Sequence, residues 1–186
     1  MLIGLVGNLG CGKDYITNNF IIPYLGKEKT QILSLGDSLK VELMVHMNID
    51  FKKLYIKKDK DSRNLLQVYG TDIMRRKHGD DIWIKYLNSW ISIHQHRGKM
   101  HFIIPDIRFK NEAEYIKNNN GFLIKIEAKD RNLQKSNEEN LDKEMNHISE
   151  KGISEIECDL YLDNSKNNQD NVLKDLMAFL VKLGHQ

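Results

Sequence analysis

The sequence predicts a single α/β domain of three layers, with a mostly parallel sheet covered by helices on both faces. Two observations carry this expectation. Apolar runs of strand length alternate along the chain with segments of helical periodicity, the pattern of βα units feeding a parallel sheet. The first such run passes into a glycine-rich loop, GNLGCGK, before the first helical segment begins. At 186 residues the chain is long enough to enclose one substantial core.

Taken in order, LIGLV (residues 2–6) is a continuous apolar run, read as a strand buried on both faces. From Lys13 the spacing turns helical, with Tyr15, Ile16, Asn19 and Phe20 on one side, until Pro23 stops or bends it. QILSL (residues 31–35) reads as a second strand, and GDSLKVELMVHM as a helix capped by Asp37 or Ser38. NIDFKKLYIKKDK is charged and irregular and reads as a surface excursion. Two helices follow, over residues 62–77 and 81–97. The second carries an apolar stripe of Ile82, Trp83, Tyr86, Leu87, Trp90 and Ile93. MHFII is a strand ending at Pro105-Asp106, NEAEYIKNN a short helix, FLIKIE a strand and CDLYL the last strand, before the amphipathic helix NVLKDLMAFLVKL. The polar stretch 128–152 has no strand pattern and is expected to be a partly helical lid insert rather than a second domain.

Composition excludes several classes. Hydrophobic residues make up 40% and charged residues 29%, which suits a soluble globular protein. A net charge of +2 is too small for a general nucleic-acid binder. The basic stretch KKLYIKKDK is accordingly read as a solvated loop. The two cysteines, Cys11 and Cys158, form neither a disulfide framework nor a metal pattern. The apolar N-terminus ends at Gly7, too early for a signal peptide, and no run approaches the roughly 20 apolar residues of a membrane helix. A cytoplasmic protein without a membrane partner is expected. His94 and His96, two apart on a helix, point away from each other and make no metal site with His101. The aromatic helix 81–97 leaves a homodimer open, since it could pack against a second subunit as well as against the sheet.

The loop carries the chemistry. Gly7-Asn8-Leu9-Gly10-Cys11-Gly12-Lys13 has the spacing G-x-x-x-x-G-K, after a strand and before a helix. Glycines let successive backbone N–H groups converge on phosphate oxygens, the helix N-terminus adds its dipole, and Lys13 adds a full charge. The next position, normally a hydroxyl residue that touches Mg²⁺, is Asp14, followed by Tyr15. A carboxylate there is a hard-oxygen partner for the metal or its waters, with the ion lying between it and the phosphates. A GTP switch would also need N-K-x-D, and Asn167-Asn168-Gln169-Asp170 lacks the lysine. A mechanical ATPase would carry an Asp-Glu pair, where this chain has only Asp106, followed by Arg108. Arg63, Arg75, Arg76, Arg108 and Arg131 suit a site that gathers the phosphates of two substrates.

Four patterns in order, GCGKDYI, SLGDSLK, LLQVYGTDIMRRKHGDDIWI and PDIRFKNEAEYIK, resemble the deoxynucleoside monophosphate kinases of large DNA phages and related viruses; HISE and YLDNS are weaker matches. The resemblance implies a P-loop kinase-like fold, and the host cytoplasm if the protein is viral. It implies that the loop (Gly7, Asn8, Gly10, Cys11, Gly12, Lys13), Asp14 and Tyr15 bind ATP, with Asn164 at the adenine and Asp14 and Asp106 near Mg²⁺. Asp37, Lys40, Gln67, Gly70, Thr71, Arg75, Asp106, Arg108 and Glu112 would form the acceptor side. Arg131 would be a lid arginine that closes over the transferred group, joining Lys13, Arg75 and Arg108 in catalysis; His147 could instead contact substrate. The expected reaction moves the γ-phosphoryl of ATP to a deoxynucleoside 5′-monophosphate. A kinase for another small phosphate, such as phosphomevalonate, and a non-catalytic nucleotide-binding module remain as alternatives.

Overall fold

The computed structural model describes residues 1–56, 59–128, 152–165 and 168–184. The expected lid with Arg131 and His147 lies outside the described residues, except for its two ends.

Five parallel strands form the sheet in the order β2-β3-β1-β4-β5. They are β1 (Leu2–Val6), β2 (Thr30–Ile32), β3 (His101–Ile107), β4 (Phe122–Glu127) and β5 (Leu160–Asp163). β1 lies at the centre, with Ile3 opposite Ile103 on one side and Phe122 on the other. This is why its five residues are all apolar or glycine and all buried. The expected second strand is shorter than QILSL, because Leu35 begins the following helix rather than ending the strand. β3 is longer than expected and runs through Pro105 to Ile107. Proline has no N–H to give the ladder, and the register with β1 shifts there, Gly4 facing Ile104 and Val6 facing Ile107.

The helices are α1 (residues 13–25), α2 (Leu35–Met47), α3 (residues 60–78), α4 (Ile82–His96), α5 (Lys110–Asn118) and α6 (Gln169–Gly184). α1 widens to a π-turn over Thr17–Ile21 just before Pro23 and then continues, so the proline bends the helix instead of stopping it. α3 widens in the same way over Val68–Arg75. There the buried indole N–H of Trp83, on α4, donates to the Gly70 carbonyl at 3.0 Å. A Cβ at Gly70 would meet the Leu39 side-chain tip of α2 at 2.8 Å, so that side chain would have to shift to admit a larger residue.

Alternation in the strands sorts the core into two layers. Leu2, Val6, Phe102, Ile104 and Leu123 pack under α2 to α5 with Leu35, Met74, Trp83, Leu87, Ala113 and Ile116. Ile3, Leu5, Ile103, Ile124, Ile126 and Leu162 pack on the other face with Ile16 and Ile21 of α1 and Val172, Leu176 and Leu180 of α6. The stretch read as a surface excursion is anchored instead: Leu54 is 0% exposed within the turn Lys52–Ile56, and Phe51 stacks on Tyr55.

Candidate active site

The glycine loop sits at the C-terminal end of β1, the position at which open α/β sheets bind ligands. Gly10 and Gly12 take φ values of 81° and 98°, open to glycine and strained for other residues. A Cβ on Gly7 would lie 2.3 Å from the Ile126 carbonyl oxygen of the neighbouring strand. Lys13 folds back over the loop, its Nζ donating to the carbonyls of Gly7 at 2.6 Å and Asn8 at 3.0 Å. Burial lowers its pKa, and Arg108 acts in the same direction, while Cys11 and Asp14 oppose them. Asp14 lies exposed in the first turn of α1. Tyr15 beside it is exposed and packs edge-on to Phe20.

Asn164 was expected at the adenine. The structure places it under the loop, 4% exposed, its side-chain amide donating to the Cys11 carbonyl at 2.9 Å. Its backbone N–H donates to the Glu127 carbonyl at 2.6 Å, so the end of β5 braces the loop through one residue.

The end of β3 organises the neighbouring side. The Asp106 carboxylate accepts from the Ser34 hydroxyl at 2.5 Å and from the backbone N–H groups of Leu35 at 3.0 Å and Gly36 at 2.8 Å. It therefore caps α2 from a distant strand, where the sequence suggested Asp37 or Ser38. Arg108 is half-buried, and burial lowers its pKa against the pull of Asp106 and Glu112. Lys13 thus feels the charge of Arg108 across the site.

Glu112 and Arg75 form an ion pair at 4% and 6% exposure. The second Glu112 oxygen accepts from the backbone N–H groups of Arg108 at 2.8 Å and Phe109 at 3.1 Å. Burial pushes the Glu112 carboxyl up to about 7, with Arg75 and the two N–H donors pulling the other way. Arg75 also donates to the Asp80 carbonyl at 2.8 Å and lies 3.9 Å from the centre of the Phe109 ring. Its wall faces a cavity of about 590 Å³ lined by Thr71, Asp72, Arg76, Phe109 and Asn111 among others.

On α2, Lys40 bridges to Asp37 at 2.8 Å and lies 4.2 Å from the centre of the Tyr55 ring. Burial, together with Asp37, pushes the Tyr55 phenol up to about 12. The structure thus gathers Lys13, Asp14, Asp106, Arg108, Glu112 and Arg75 around the ends of β1 and β3, with Gln67, Gly70 and Thr71 on the adjoining α3. Sequence reasoning missed Tyr55, Ser34 and Phe109, whose residue types carry no signal of their own. Among the described residues no group of three or more His, Cys, Asp or Glu side chains could hold a metal. Mg²⁺ would need no such cluster: it keeps most of its waters and takes one or two carboxylates plus substrate phosphates. Asp14 is an exposed carboxylate at the loop, whereas Asp106 is engaged by α2.

The fold is of the α/β class, with a glycine loop at the end of its central strand. The chain belongs to the family described as deoxynucleotide monophosphate kinase, whose profile matches residues 14–177, and it is accordingly a nucleotide kinase. The match opens directly after the loop lysine. TT1252 from Thermus thermophilus aligns over 98% of this chain and 97% of its own, with 19% identity and a TM-score of 0.56, and so shares the fold. Shikimate kinase from Aquifex aeolicus aligns over 99% of this chain and 98% of its own, with 12% identity and a TM-score of 0.44. No curated protein sequence matches the chain. No helix among the described residues is long and apolar enough to cross a membrane.

Proposed function

We propose that the protein transfers the γ-phosphoryl group of ATP to a deoxynucleoside 5′-monophosphate, giving ADP and the diphosphate. The observation that carries this reading is a pair of cations, Lys13 at the loop and Arg108 at the end of β3: burial lowers each, and the charge of Arg108 lowers Lys13 further. Such a pair gains most when a polyanion lies between its members.

On this reading the loop N–H groups and Lys13 hold the donor phosphates, the ammonium exchanging the carbonyls of Gly7 and Asn8 for phosphate oxygens. Asp14 would hold Mg²⁺ through oxygen or water, and the ion would supply charge neutralisation on the phosphates. Arg75 holds the acceptor monophosphate, while Asp37, Lys40, Gln67, Gly70 and Thr71 border the acceptor pocket. Arg108 shares the charge of the group in flight, and Arg131, outside the described residues, is the further arginine the resemblance assigns to it. An acceptor phosphate oxygen attacks the γ-phosphorus in line, the bond to the β–γ bridging oxygen breaks, and ADP leaves. The acceptor arrives as an anion, so no side chain need form a covalent bond or remove a proton. Asn164 acts by bracing the loop.

The test is ADP release from ATP with each common ribo- and deoxyribonucleoside monophosphate, alongside non-nucleotide phosphates such as phosphomevalonate. Release stimulated by one or more deoxynucleoside monophosphates is expected. Stimulation by a non-nucleotide phosphate alone, or ATP binding with no acceptor-dependent release, overturns the reading.

A further inference from the structure

We propose that Glu112 is a positioning residue, which fixes Arg75 in the wall of the acceptor cavity and ties that wall to the end of β3 without touching the acceptor. This rests on the role given to Arg75 above. Glu112 is 4% exposed, and both of its oxygens are engaged, one by Arg75 and the other by the N–H groups of Arg108 and Phe109. A carboxylate so placed has no free face for a ligand, and its charge would repel a phosphate in direct contact. Its effect on the acceptor is therefore indirect, chiefly through Arg75.

The surroundings of Arg75 show what that effect is. One guanidinium nitrogen pairs with Glu112, while the other donates to the Asp80 carbonyl at 2.8 Å and reaches Asn111 Oδ1 at 3.5 Å. The guanidinium plane also lies over the Phe109 ring, 3.9 Å from its centre. Three of these four partners belong to residues 109–112, the segment whose backbone Glu112 itself holds. A long arginine side chain loses much rotamer freedom when it is ordered. Glu112 orders it before any ligand arrives, so binding an acceptor need not supply that entropy. The same carboxylate registers α3, which carries Arg75, against the backbone of Arg108 at the end of β3. A shift of about 1 Å in such a register can lower the rate roughly 100-fold.

The experiment is a double-mutant cycle on the full-length enzyme, with ATP and the best acceptor from the monophosphate panel. It compares the wild type, Glu112→Gln, Arg75→Ala and the double variant. The expected result is a rise of about tenfold or more in acceptor KM for Glu112→Gln, with ATP KM within about twofold. In the Arg75→Ala background the same substitution should change acceptor KM by less than about twofold. Equal rises in both KM values overturn the proposal, as does a full additional rise on top of Arg75→Ala. Should Glu112→Gln fail to fold, Glu112→Asp, which keeps the charge on a shorter arm, is judged by the same two criteria. A wild type that uses no deoxynucleoside monophosphate overturns the function itself, and this role with it. An active wild type with an additive cycle overturns only the role of Glu112.

Discussion

At the scale of single residues, the site is a set of charges whose burial sets what each can do. Lys13 rests on two carbonyls and is lowered by burial, and in the proposed mechanism it exchanges those partners for phosphate oxygens. Lys13→Ala is expected to lower kcat by two or more orders of magnitude, comparable to the loss of one preorganised stabilising group, and to leave the circular dichroism spectrum unchanged. Unaltered turnover would remove the loop from the mechanism. Glu112 gives a pH prediction with two opposite signs. Its folded pKa, about 7, lies above its ordinary 4.5. The stability it contributes is therefore fully present below about 4.5 and is lost as pH rises through about 7. Its pairing with Arg75 runs the other way, strengthening as the carboxyl ionises above about 7. Going from pH 8 to pH 6 should raise acceptor KM while this group's contribution to denaturant stability grows. The acceptor phosphate, with a second pKa near 6, adds its own dependence. Glu112→Gln removes only the part that belongs to the protein; an identical pH profile in that variant would contradict the assignment.

At the scale of elements, strand ends and helix starts hold one another in place. Pro105 shifts the register of β3, and the residue after it caps α2 across the sheet edge. Asp106→Ala should leave the Leu35 and Gly36 N–H groups without that partner, at a cost of about 0.5–2 kcal/mol, read as a lower midpoint in urea. Acceptor KM should rise with it, since α2 carries Asp37 and Lys40. A midpoint equal to wild type would mean that α2 is capped in another way. β5 plays the matching part for the glycine loop, where Asn164 braces the Cys11 carbonyl. The turn Lys52–Ile56 packs Tyr55 against Asp37 and Lys40, so a stretch that reads as a charged loop holds two residues proposed to border the acceptor pocket.

At the scale of the molecule, one all-parallel sheet separates two cores, with α1 and α6 on one face and α2 to α5 on the other. The glycine loop follows β1 between them, and the helices proposed to carry the acceptor residues lie on the second face. Ligands that bind only the folded chain stabilise it by mass action, about 2.7 kcal/mol at a hundred times Kd. For a domain of this size that corresponds to a rise in Tm of roughly 5–10 °C. ATP with Mg²⁺ should give such a shift in the wild type and a much smaller one in Lys13→Ala. A full shift in the variant would place the nucleotide elsewhere.

The sequence by itself determined the class of fold, the order of strands and helices, and the loop that would hold phosphate. These follow from local rules: apolar runs for doubly buried strands, one-sided spacing for helices, and glycine where backbone N–H groups must converge. It also marked Asp106, Arg108, Glu112, Arg75 and Asn164 as residues of interest, but not what each one touches. Only the tertiary structure decided that Asp106 caps α2, that Asn164 lies under the loop, and that Glu112 reaches Arg75 across 37 positions of chain. Those contacts join residues far apart in sequence, and no propensity or spacing encodes them. They exist because a parallel sheet brings the ends of its strands to one edge, where buried polar groups must find partners.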